Sequence, residues 1–456
     1  MCRIQRQGAA LTITSASEIG PEEVARDRGL RRGVGTGGLA ASIVNGVVGA
    51  GIFSLPAAMA MNAGDYALAA YLVCAVAMGA VVLCFAESGS RVPTSGGAYG
   101  TVEAAFGKGA GFFAGIYMWL ASVLACGGIA AALCDALGRA APALAGPGMR
   151  LVLLAAIFVP IVLVNLRGAG LAARVIAWGT VIKLVPLALF VVVGGVVVLS
   201  GGPNQAPPAG GGAITGSFTE AVLLALFAFC GMETPLGASG EVSDPARTVP
   251  RATMLAMAFV LVFYIAIQVV AQGLLGNALA GSAEPLADSM ARVSPTLGLL
   301  LLGGGALSRF IWIGSDIFGA PRVLFAFARD GMLPKALGRV HPTYATPDVA
   351  ILVHTVIAVA LAATGTFVQL AILSTLATAG LYFLACAAAL SLRRRGIATV
   401  GTPLAFRLLV PAAWVGMGSM IVVICIAKWA EIGGFIAVTV ASVALYAVMR
   451  PRADVK

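Results

Sequence analysis

The stretch IVNGVVGAGIFSLPAAMA, residues 43–60, is apolar enough to lie in a bilayer, yet its middle is built to interrupt an α-helix. This middle holds three glycines, Gly46, Gly49 and Gly51. Glycine weakens helical hydrogen bonding, and Ser54 and Pro56 then offer an N-cap and a first-turn proline for a new helix. Backbone groups left unpaired at membrane depth are tolerated only where they are buried in protein or line a wet cavity. The stretch therefore predicts a binding site made of backbone, and glycines that serve close helix packing remain the alternative.

The composition places the chain in a membrane. It has 456 residues, of which 60% are hydrophobic and 11% are charged, and its mean hydropathy is +0.98. These values exclude an ordinary soluble protein. About twelve apolar runs are long enough to cross a hydrocarbon core ~30 Å thick. We therefore predict an all-α polytopic membrane protein, embedded in the lipid bilayer, with about 12 transmembrane helices.

The net charge of +10 is compatible with nucleic-acid binding, so the placement of the basic residues has to decide. With the N-terminus inside, only four of the 29 lysines and arginines lie in predicted outer segments: Arg139, Arg150, Arg292 and Lys428. This is the positive-inside bias of a polytopic protein whose two termini are cytoplasmic, and it requires no nucleic acid. We expect a multi-pass protein of the cell membrane, that is, the plasma or inner membrane.

The sequence lacks the usual patterns of metal sites and enzymes. The eight cysteines are scattered, nearly all within spans, and show no CxxC or Cys/His ligand spacing. Neither HExxH nor GxSxG occurs, and no acid, base and nucleophile converge at suitable spacing. We therefore expect no metal, no cofactor and no enzymatic activity. A channel is disfavoured because no ring-forming filter motif is present.

A second interrupted span lies within LFAFCGMETPLGASGEVSDPART, residues 226–248. Gly231 breaks the helix, Thr234 offers a cap, and Pro235 stands where a first helical residue would stand. The predicted first and sixth spans therefore each contain a glycine break followed by a proline. If the first five spans and the next five are repeats, the two breaks correspond, and the odd number of spans inverts the second copy. Such paired interruptions indicate the binding site of a transporter.

This pattern divides the chain into five parts. They are a cytoplasmic N-terminal tail (1–37), transmembrane helices 1–5 as a first repeat (38–200), helices 6–10 as an inverted second repeat (214–395), helices 11–12 (402–449) and a cytoplasmic C-terminal tail (450–456). The N-terminal tail contains no apolar run, so we expect the first span, rather than a cleaved signal peptide, to direct insertion.

Four stretches resemble the amino acid–polyamine–organocation (APC) transporter family. They are GVVGAGIFSLP (46–56), ESGSRVPTSGGAYGTVEAAFGKGAGFFAGIYMWL (87–120), FAFCGMETPLGASGEVSDPARTVPRA (227–252) and APRVLFAFARDGMLPKALGRVHPTYATP (320–347). The last three include loops, which apolar composition alone would not produce. The resemblance implies a LeuT-like 5+5 inverted repeat with broken helices 1 and 6, and an amino acid held between the two breaks at mid-membrane.

The two breaks predict how such a ligand is held. The N–H groups of residues 49–51, at the positive end of the following half-helix, would face the substrate carboxylate. Carbonyl groups near Ala228, Phe229 and Gly231 would accept hydrogen bonds from its ammonium group. The whole predicted substrate-binding set is Gly49, Ala50, Gly51, Ile52, Phe227, Ala228, Phe229, Cys230, Gly231, Met232, Met118 and Ser122.

Side chains near the breaks predict the specificity. In the family that the chain resembles, the position of Phe227 is usually aromatic and acts as a lid over the substrate, and packing against helix 1 is the alternative. The side-chain pocket is predicted from Tyr117, Met118, Ser122, Cys230 and Met232. These residues are apolar or neutral, so a neutral amino acid fits better than a dibasic one.

Glu233 and Asp316 are predicted intramembrane acids, and such acids are candidates for function by default. Glu233 either binds protons or caps the second half-helix of span six, and both alternatives stay open. We expect Asp316 to pair with Arg309, two helical turns earlier, with a place facing the pathway as the alternative. His354 is expected to be a satisfied scaffold residue rather than a proton relay.

Lys183 lies in the middle of the predicted fifth span, where a charged lysine costs about 2.5–3.5 kcal/mol on insertion scales. The resemblance implies that a lysine at this position, in proton-coupled relatives, occupies the space that sodium fills in sodium-coupled ones. Where sodium-coupled relatives carry hydroxyl groups, this chain has Ala320 and Pro321. We therefore predict Lys183 and Glu233 as the proton-coupling residues, with Asp316 the weaker candidate. A fixed positive charge that does not titrate is the alternative for Lys183.

These observations predict a secondary active transporter that imports an amino acid, neutral in its side chain, by proton symport with alternating access. An amino-acid or polyamine exchanger (antiporter) on the same fold is the alternative. The expected partners are the small-molecule amino acid, protons and the lipid bilayer, without nucleic acid. The sequence does not decide the oligomeric state.

Overall fold

The computed structural model of the protein describes residues 35–93, 97–144, 146–167, 182–201, 216–236, 242–399 and 402–449. Within these ranges, the long regular elements are all helices. In chain order they are α1 (Thr36–Val47), α2 (Leu55–Ala63), α3 (Ala67–Arg91), α4 (Gly97–Phe106), α5 (Lys108–Ala140), α6 (Pro147–Leu166), α7 (Ile182–Leu199, with a π-helical turn at Phe190–Gly194), α8 (Phe218–Phe229), α9 (Pro245–Leu275), α10 (Pro285–Ala291), α11 (Pro295–Gly319), α12 (Pro321–Arg329), α13 (Asp348–Thr364), α14 (Phe367–Arg394), α15 (Leu409–Cys425) and α16 (Trp429–Met449).

Eight helical segments among the described residues are long and apolar enough to cross a membrane. Three shorter apolar helices, α8, α13 and α15, add to them. The all-α, multi-pass class is therefore confirmed, whereas the count of twelve spans and the inverted repeat stay predictions. Residues 1–34 and 450–456 of the predicted tails lie outside the described ranges.

The predicted interruption of the first span is confirmed. The first half-helix, α1, ends at Val47, a 3₁₀ turn covers Ala50–Phe53, and α2 begins at Leu55 with Pro56 in its first turn. The cause is local, because glycine lowers the stability of a continuous helix and proline favours a new helical start. The chain therefore presents non-helical backbone in the middle of an apolar span.

The predicted cap at Ser54 is wrong. Its backbone has helical angles, φ −107° and ψ −20°, and its side chain makes no cap hydrogen bond to α2. An N-cap residue needs extended angles to aim its oxygen at the amides that follow. The Ser54 hydroxyl instead accepts a hydrogen bond from the Arg309 guanidinium at 2.8 Å, so it ties the start of α2 to α11.

The predicted pairing of Arg309 with Asp316 is also wrong. Both terminal nitrogens of Arg309 contact the Glu284 carboxylate at 3.1 Å, and the Arg309 side chain is only 1% exposed. Seven residues along one helix are separated by a rise of about 10 Å, whereas Glu284, just before α10, lies against α11. A long side chain therefore finds its partner on a neighbouring element.

The sixth span is interrupted where the sequence predicts. Its first part, α8, ends at Phe229, and Cys230 is extended, with φ −72° and ψ 157°. Gly231 has φ +113°, a conformation that side-chain-bearing residues rarely adopt. The helical continuation expected from Pro235 falls mostly on residues 237–241, outside the described ranges.

The two breaks touch each other through backbone. A Cβ atom on Gly46 would lie 2.8 Å from the carbonyl oxygen of Gly231, and a Cβ on Gly231 would lie equally close to that of Gly46. No side chain fits into such a contact. The glycines at this point therefore allow the two spans to pack closely as well as interrupting their helices.

Helix α5 provides the surface that faces the breaks, and it packs against α11, α13 and α14. Small residues allow the close approach: a Cβ on Gly127 would lie 2.8 Å from the Cβ of Leu361 in α13, and one on Gly128 would lie 3.2 Å from that of Leu370 in α14. On the other side, α1 and α3 both pack against α9. The site described next lies between these two groups of helices.

Candidate substrate-binding site

A cavity of about 400 Å³ lies between the two breaks and helices α5 and α11. The backbone of the breaks forms one wall, and the facing wall carries Met118, Ser122, Trp312 and Asp316. The lining continues along α1 as far as Ser42, so the cavity extends toward the N-terminal end of α1. Small-molecule sites occupy about 300–1,000 Å³, so the cavity has a suitable size for an amino acid.

Nine of the twelve predicted substrate-binding residues line this cavity: Gly49, Gly51, Ile52, Phe227, Ala228, Cys230, Gly231, Met118 and Ser122. Ala50 contributes backbone to the 3₁₀ turn. Phe229 and Met232 are buried away from the described lining, because Phe229 follows Phe227 by two residues and so faces the opposite side of α8. Tyr117 is also not among the lining residues. Its hydroxyl forms a hydrogen bond with the hydroxyl of Thr439 in α16.

The first break offers two amide groups rather than the three predicted. The N–H of Gly49 donates to the carbonyl oxygen of Val47 at 2.6 Å, so it is already paired. Ala50 and Gly51 begin the 3₁₀ turn, where the N–H groups have no partner within the turn, and no side chain caps it. These two groups, at the positive end of a helical dipole, suit a carboxylate.

Helix α8 ends beside the same cavity. Cys230 satisfies two of the last four carbonyl oxygens of α8, through its N–H at 3.2 Å and its thiol at 3.1 Å. The other two, those of Ala228 and Phe229, have no partner within the helix. The carbonyl oxygen of Gly231, which was also predicted to bind the ammonium, lies against Gly46 of α1 instead. The negative end of α8 therefore suits an ammonium group.

Glu233 closes the second break. Its carboxylate accepts hydrogen bonds from the N–H of Gly231 at 3.1 Å and from the hydroxyl of Tyr382 at 2.8 Å. The residue is buried and also lines the cavity. Its cap therefore acts on the break itself rather than on the start of a second half-helix, and proton binding by Glu233 stays a prediction.

The ring of Phe227 lies against the first break. A Cβ on Gly51 would lie 3.0 Å from Cε1 of this ring. The ring also makes an edge contact with Phe367, with 5.9 Å between the centroids. The ring is therefore close enough to the first break to cover a ligand bound there. It also packs against Phe367, so a mutational test has to separate the two roles.

We expect Phe227→Ala to slow amino-acid uptake about tenfold, because losing an aromatic contact costs roughly 0.5–1.5 kcal/mol beyond the buried area. Phe227→Trp should keep most of the uptake, since it retains an aromatic surface. Radiolabelled uptake into proteoliposomes measures both. Phe263→Ala is the matched control, because Phe263 stacks on Phe259 outside the described lining. Equal uptake by all four proteins would reduce Phe227 to a packing residue.

A hydrogen-bonded cluster on the facing wall was not predicted. Nε2 of His354 lies 2.9 Å from Oδ2 of Asp316, and the Ser122 hydroxyl donates to the other carboxylate oxygen, Oδ1. The indole N–H of Trp119 donates to Nδ1 of His354 at 3.2 Å. Isolated polar residues within apolar spans are a signal that they meet one another, but the sequence does not say which ones meet.

Cys126 completes a group that has the spacing of a metal site. Its sulfur and the ligand atoms of Asp316 and His354 lie within 4.8 Å of one another. A neutral histidine that binds a metal through Nε2 carries its proton on Nδ1. Here Nδ1 already receives the Trp119 N–H, so the two hydrogens would face each other. The cluster therefore suits a proton better than a metal ion.

Lys183 lies behind the first break rather than in the cavity. Its ammonium nitrogen donates to the carbonyl oxygen of Asn45 at 2.8 Å, and the residue is 3% exposed. Helix α1 ends two residues later, so its last carbonyl groups need partners from elsewhere. The Tyr264 hydroxyl donates a hydrogen bond to the carbonyl oxygen of Val47 at 2.8 Å, and Lys183 does so for the carbonyl oxygen of Asn45. A cation is favoured at this negative end of the helix dipole.

Comparison with known proteins identifies the family. A family model described as amino acid permease matches residues 35–445. The chain belongs to the amino acid permease family. The resemblance to the APC family is thereby confirmed, and the permease is a multi-pass membrane protein of amino-acid transport.

The permease is similar to several curated proteins. An uncharacterized transporter of Mycobacterium tuberculosis is 31% identical over 351 residues, which cover 75% of each chain. A branched-chain amino acid permease of Lactococcus lactis is 28% identical over 329 residues, covering 65% of this chain and 68% of the relative. A branched-chain amino acid permease of Bacillus subtilis is 28% identical over 343 residues, covering 71% and 73%.

Proposed function

We propose that the permease imports a neutral amino acid by proton symport with alternating access. The observation that carries this proposal is the position of Lys183, whose ammonium group holds the last turn of α1 beside the break. Charge-assisted hydrogen bonds are roughly twice as strong as neutral ones. Loss of the proton from Lys183 would therefore loosen α1 next to the amides that suit the substrate carboxylate.

Loosening α1 in this way is sufficient to couple proton release to a change in the side of the membrane to which the cavity opens. A difference of a few kcal/mol between two conformations shifts their populations strongly. With Lys183 protonated, α1 is held against α7 in the arrangement described here. With Lys183 neutral, α1 and the second break, which touch through Gly46 and Gly231, are free to rock together against α5 and α11.

The cavity supports a substrate with a neutral side chain. Its apolar lining includes Ile52, Met118 and Cys230. Its two carboxylates are engaged by donors from the protein, Glu233 by an N–H and a hydroxyl and Asp316 by a hydroxyl and an imidazole. Because two relatives are named branched-chain amino acid permeases, leucine, isoleucine and valine are the first candidates.

The same proposal includes the LeuT-like architecture. Twelve transmembrane helices would form two inverted repeats, 38–200 and 214–395, followed by two further helices. Two glycine-broken spans that meet at their breaks support this arrangement. The distribution of basic residues supports cytoplasmic termini in the cell membrane.

Uptake into proteoliposomes tests the symport. The permease is reconstituted, the amino acid that stabilises it most in a thermal screen of the twenty is supplied outside, and an inward proton gradient is imposed. At one proton per substrate, a gradient of 2 pH units supports accumulation of up to about 100-fold. We expect a protonophore to abolish the accumulation and replacement of sodium by choline to leave it unchanged.

The same vesicles separate symport from exchange. An exchanger of amino acids or polyamines would take up label only when unlabelled substrate is loaded inside, whatever the proton gradient. Uptake that requires internal substrate, or that stops when sodium is removed, would overturn the proposal.

A further inference from the structure

Asp316 has a place in the cavity wall that the proposed coupling through Lys183 leaves unused. Asp316 is 9% exposed and lines the cavity, between Ser122 of α5 and His354 of α13. Its helix meets the first break one turn earlier, at Trp312, whose indole nitrogen would lie 2.9 Å from a Cβ on Gly49. Residues four apart share one face of a helix, so Asp316 lies one helical turn from this contact and lines the same cavity as Gly49 and Gly51.

The hydrogen bonds of His354 indicate which of its ring nitrogens carries the hydrogen. The Trp119 indole nitrogen is a donor only, so Nδ1 of His354, at 3.2 Å, must be an acceptor without hydrogen. The ring proton of neutral His354 is then on Nε2 and points to Oδ2 of Asp316. A hydrogen on Nδ1 would point at the Trp119 N–H, so this contact favours the hydrogen on Nε2.

The proton-accepting atom of the cluster is therefore Oδ1 of Asp316. A hydroxyl group both donates and accepts, so Ser122 can rotate from donating to ionised Asp316 to accepting from protonated Asp316. Oδ2 cannot change in this way because it faces the fixed Nε2–H. The proton thus sits beside Ser122, which also lines the cavity.

Asp316 has no basic counter-ion in the described part of the cavity wall. None of the described residues that line the cavity is lysine or arginine. On its own helix, Arg309 binds Glu284, and behind α1, Lys183 binds Asn45. Arg322, at the start of α12, lies over the Phe318 ring, 3.9 Å from its centroid. The thiol of Cys126 on α5 and the neutral ring of His354 on α13 bring no positive charge. Glu233, which also lines the cavity, is an acid.

We infer that Asp316 binds a proton whenever the amino acid occupies the first break, and that accumulation requires this site as well as Lys183. The inference rests on the proposed function, since it places the substrate carboxylate at Ala50 and Gly51. An ionised Asp316 beside that carboxylate would repel it, whereas the protonated acid does not. The proton comes from water in the cavity, binds to Oδ1 when substrate binds, and leaves when substrate leaves.

The pH dependence of amino-acid affinity tests this assignment. For the wild type, affinity for L-leucine, or for the amino acid chosen in the thermal screen, should fall as the pH rises, by up to about tenfold per pH unit. Asp316→Asn should remove that fall, because the amide keeps an acceptor for His354 and a donor for Ser122 but carries no charge. It should also remove the proton uptake that a pH-indicator dye detects on substrate addition in weak buffer.

His354→Gln is the matched variant. Glutamine keeps an N–H donor at the position of Nε2 and has no ring to titrate, so the pH profile should persist. A profile lost in His354→Gln and kept in Asp316→Asn would overturn the assignment. A wild type that takes up no protons on binding would instead contradict the symport, whereas full uptake in Asp316→Asn would contradict Asp316 alone.

A spectroscopic measurement on the wild type tests the inference even if the Asp316→Asn variant does not fold. Infrared difference spectra of the wild type, with carboxyl-labelled aspartate, should show a protonated aspartic acid appearing when the amino acid is added. The absence of this band would overturn the inference.

Discussion

Gly51→Val is expected to weaken amino-acid binding by at least about 100-fold while the permease still folds. A Cβ at Gly51 would lie 3.0 Å from Phe227 and 3.7 Å from Phe367, and the two methyl groups of valine would enter the space beside the Gly51 amide. A lost hydrogen bond to a charged group costs about 1.5–3 kcal/mol, which at 1.4 kcal/mol per tenfold reaches about 100-fold at its upper end. The methyl groups also occupy the space of the carboxylate, which adds to the loss.

The effect comes from space rather than from backbone strain, because Gly51 is not among the residues with positive φ. Gly51→Ala, which adds only the Cβ against the movable tip of a phenylalanine ring, should therefore bind with intermediate affinity. Gly79→Val is the matched control, since a Cβ at Gly79 meets nothing within 4 Å. Isothermal titration measures all three, and wild-type affinity in Gly51→Val would refute the site at the first break.

Lys183→Met is expected to bind the amino acid but to lose accumulation driven by a proton gradient, from up to about 100-fold at 2 pH units to equal concentrations on both sides. Methionine fills a similar volume without the ammonium group that holds Asn45. Folding should not suffer, because an uncharged residue avoids the insertion cost of about 2.5–3.5 kcal/mol for lysine at mid-membrane. Uptake and counterflow in proteoliposomes separate transport from coupling.

Lys183→Arg decides between a titrating lysine and a fixed charge. Arginine stays protonated, so it should also fail to accumulate substrate if coupling needs release of the proton from residue 183. Accumulation by Lys183→Arg would favour the fixed charge, and accumulation by Lys183→Met would show that coupling does not require Lys183. Lys335→Met, at an exposed position after α12, is the control for loss of a lysine as such.

Both interruptions were predictable because their causes act within a few residues. Glycine at Gly49 and Gly51 weakens a helix wherever it occurs, and Pro56 favours a helical start a few residues later. The positive φ of Gly231 likewise follows from the conformational freedom of glycine. Most of the backbone-lined site could therefore be assigned before any helix packing was known.

The hydrogen-bond partners were predicted less well. Ser54 was expected to cap α2 and instead binds Arg309, while the N–H of Gly49, expected to be free, binds Val47. Asp316 was expected to pair with Arg309 and instead binds His354. Each of these errors concerns a polar group whose local environment offers more than one partner, so its choice depends on backbone angles and neighbouring helices.

The sequence alone was sufficient to predict that the chain crosses a membrane and that two of its spans are interrupted. That backbone groups at those interruptions bind a ligand stays a prediction. Hydrophobicity, glycine and proline act locally, so their consequences are readable residue by residue. The packing of the helices was needed to show that Lys183 donates a hydrogen bond to the Asn45 carbonyl, 138 residues away in the chain, and that His354 binds Asp316, 38 residues away. Such contacts depend on how whole helices cross, and side chains on separate helices meet only after that packing has formed.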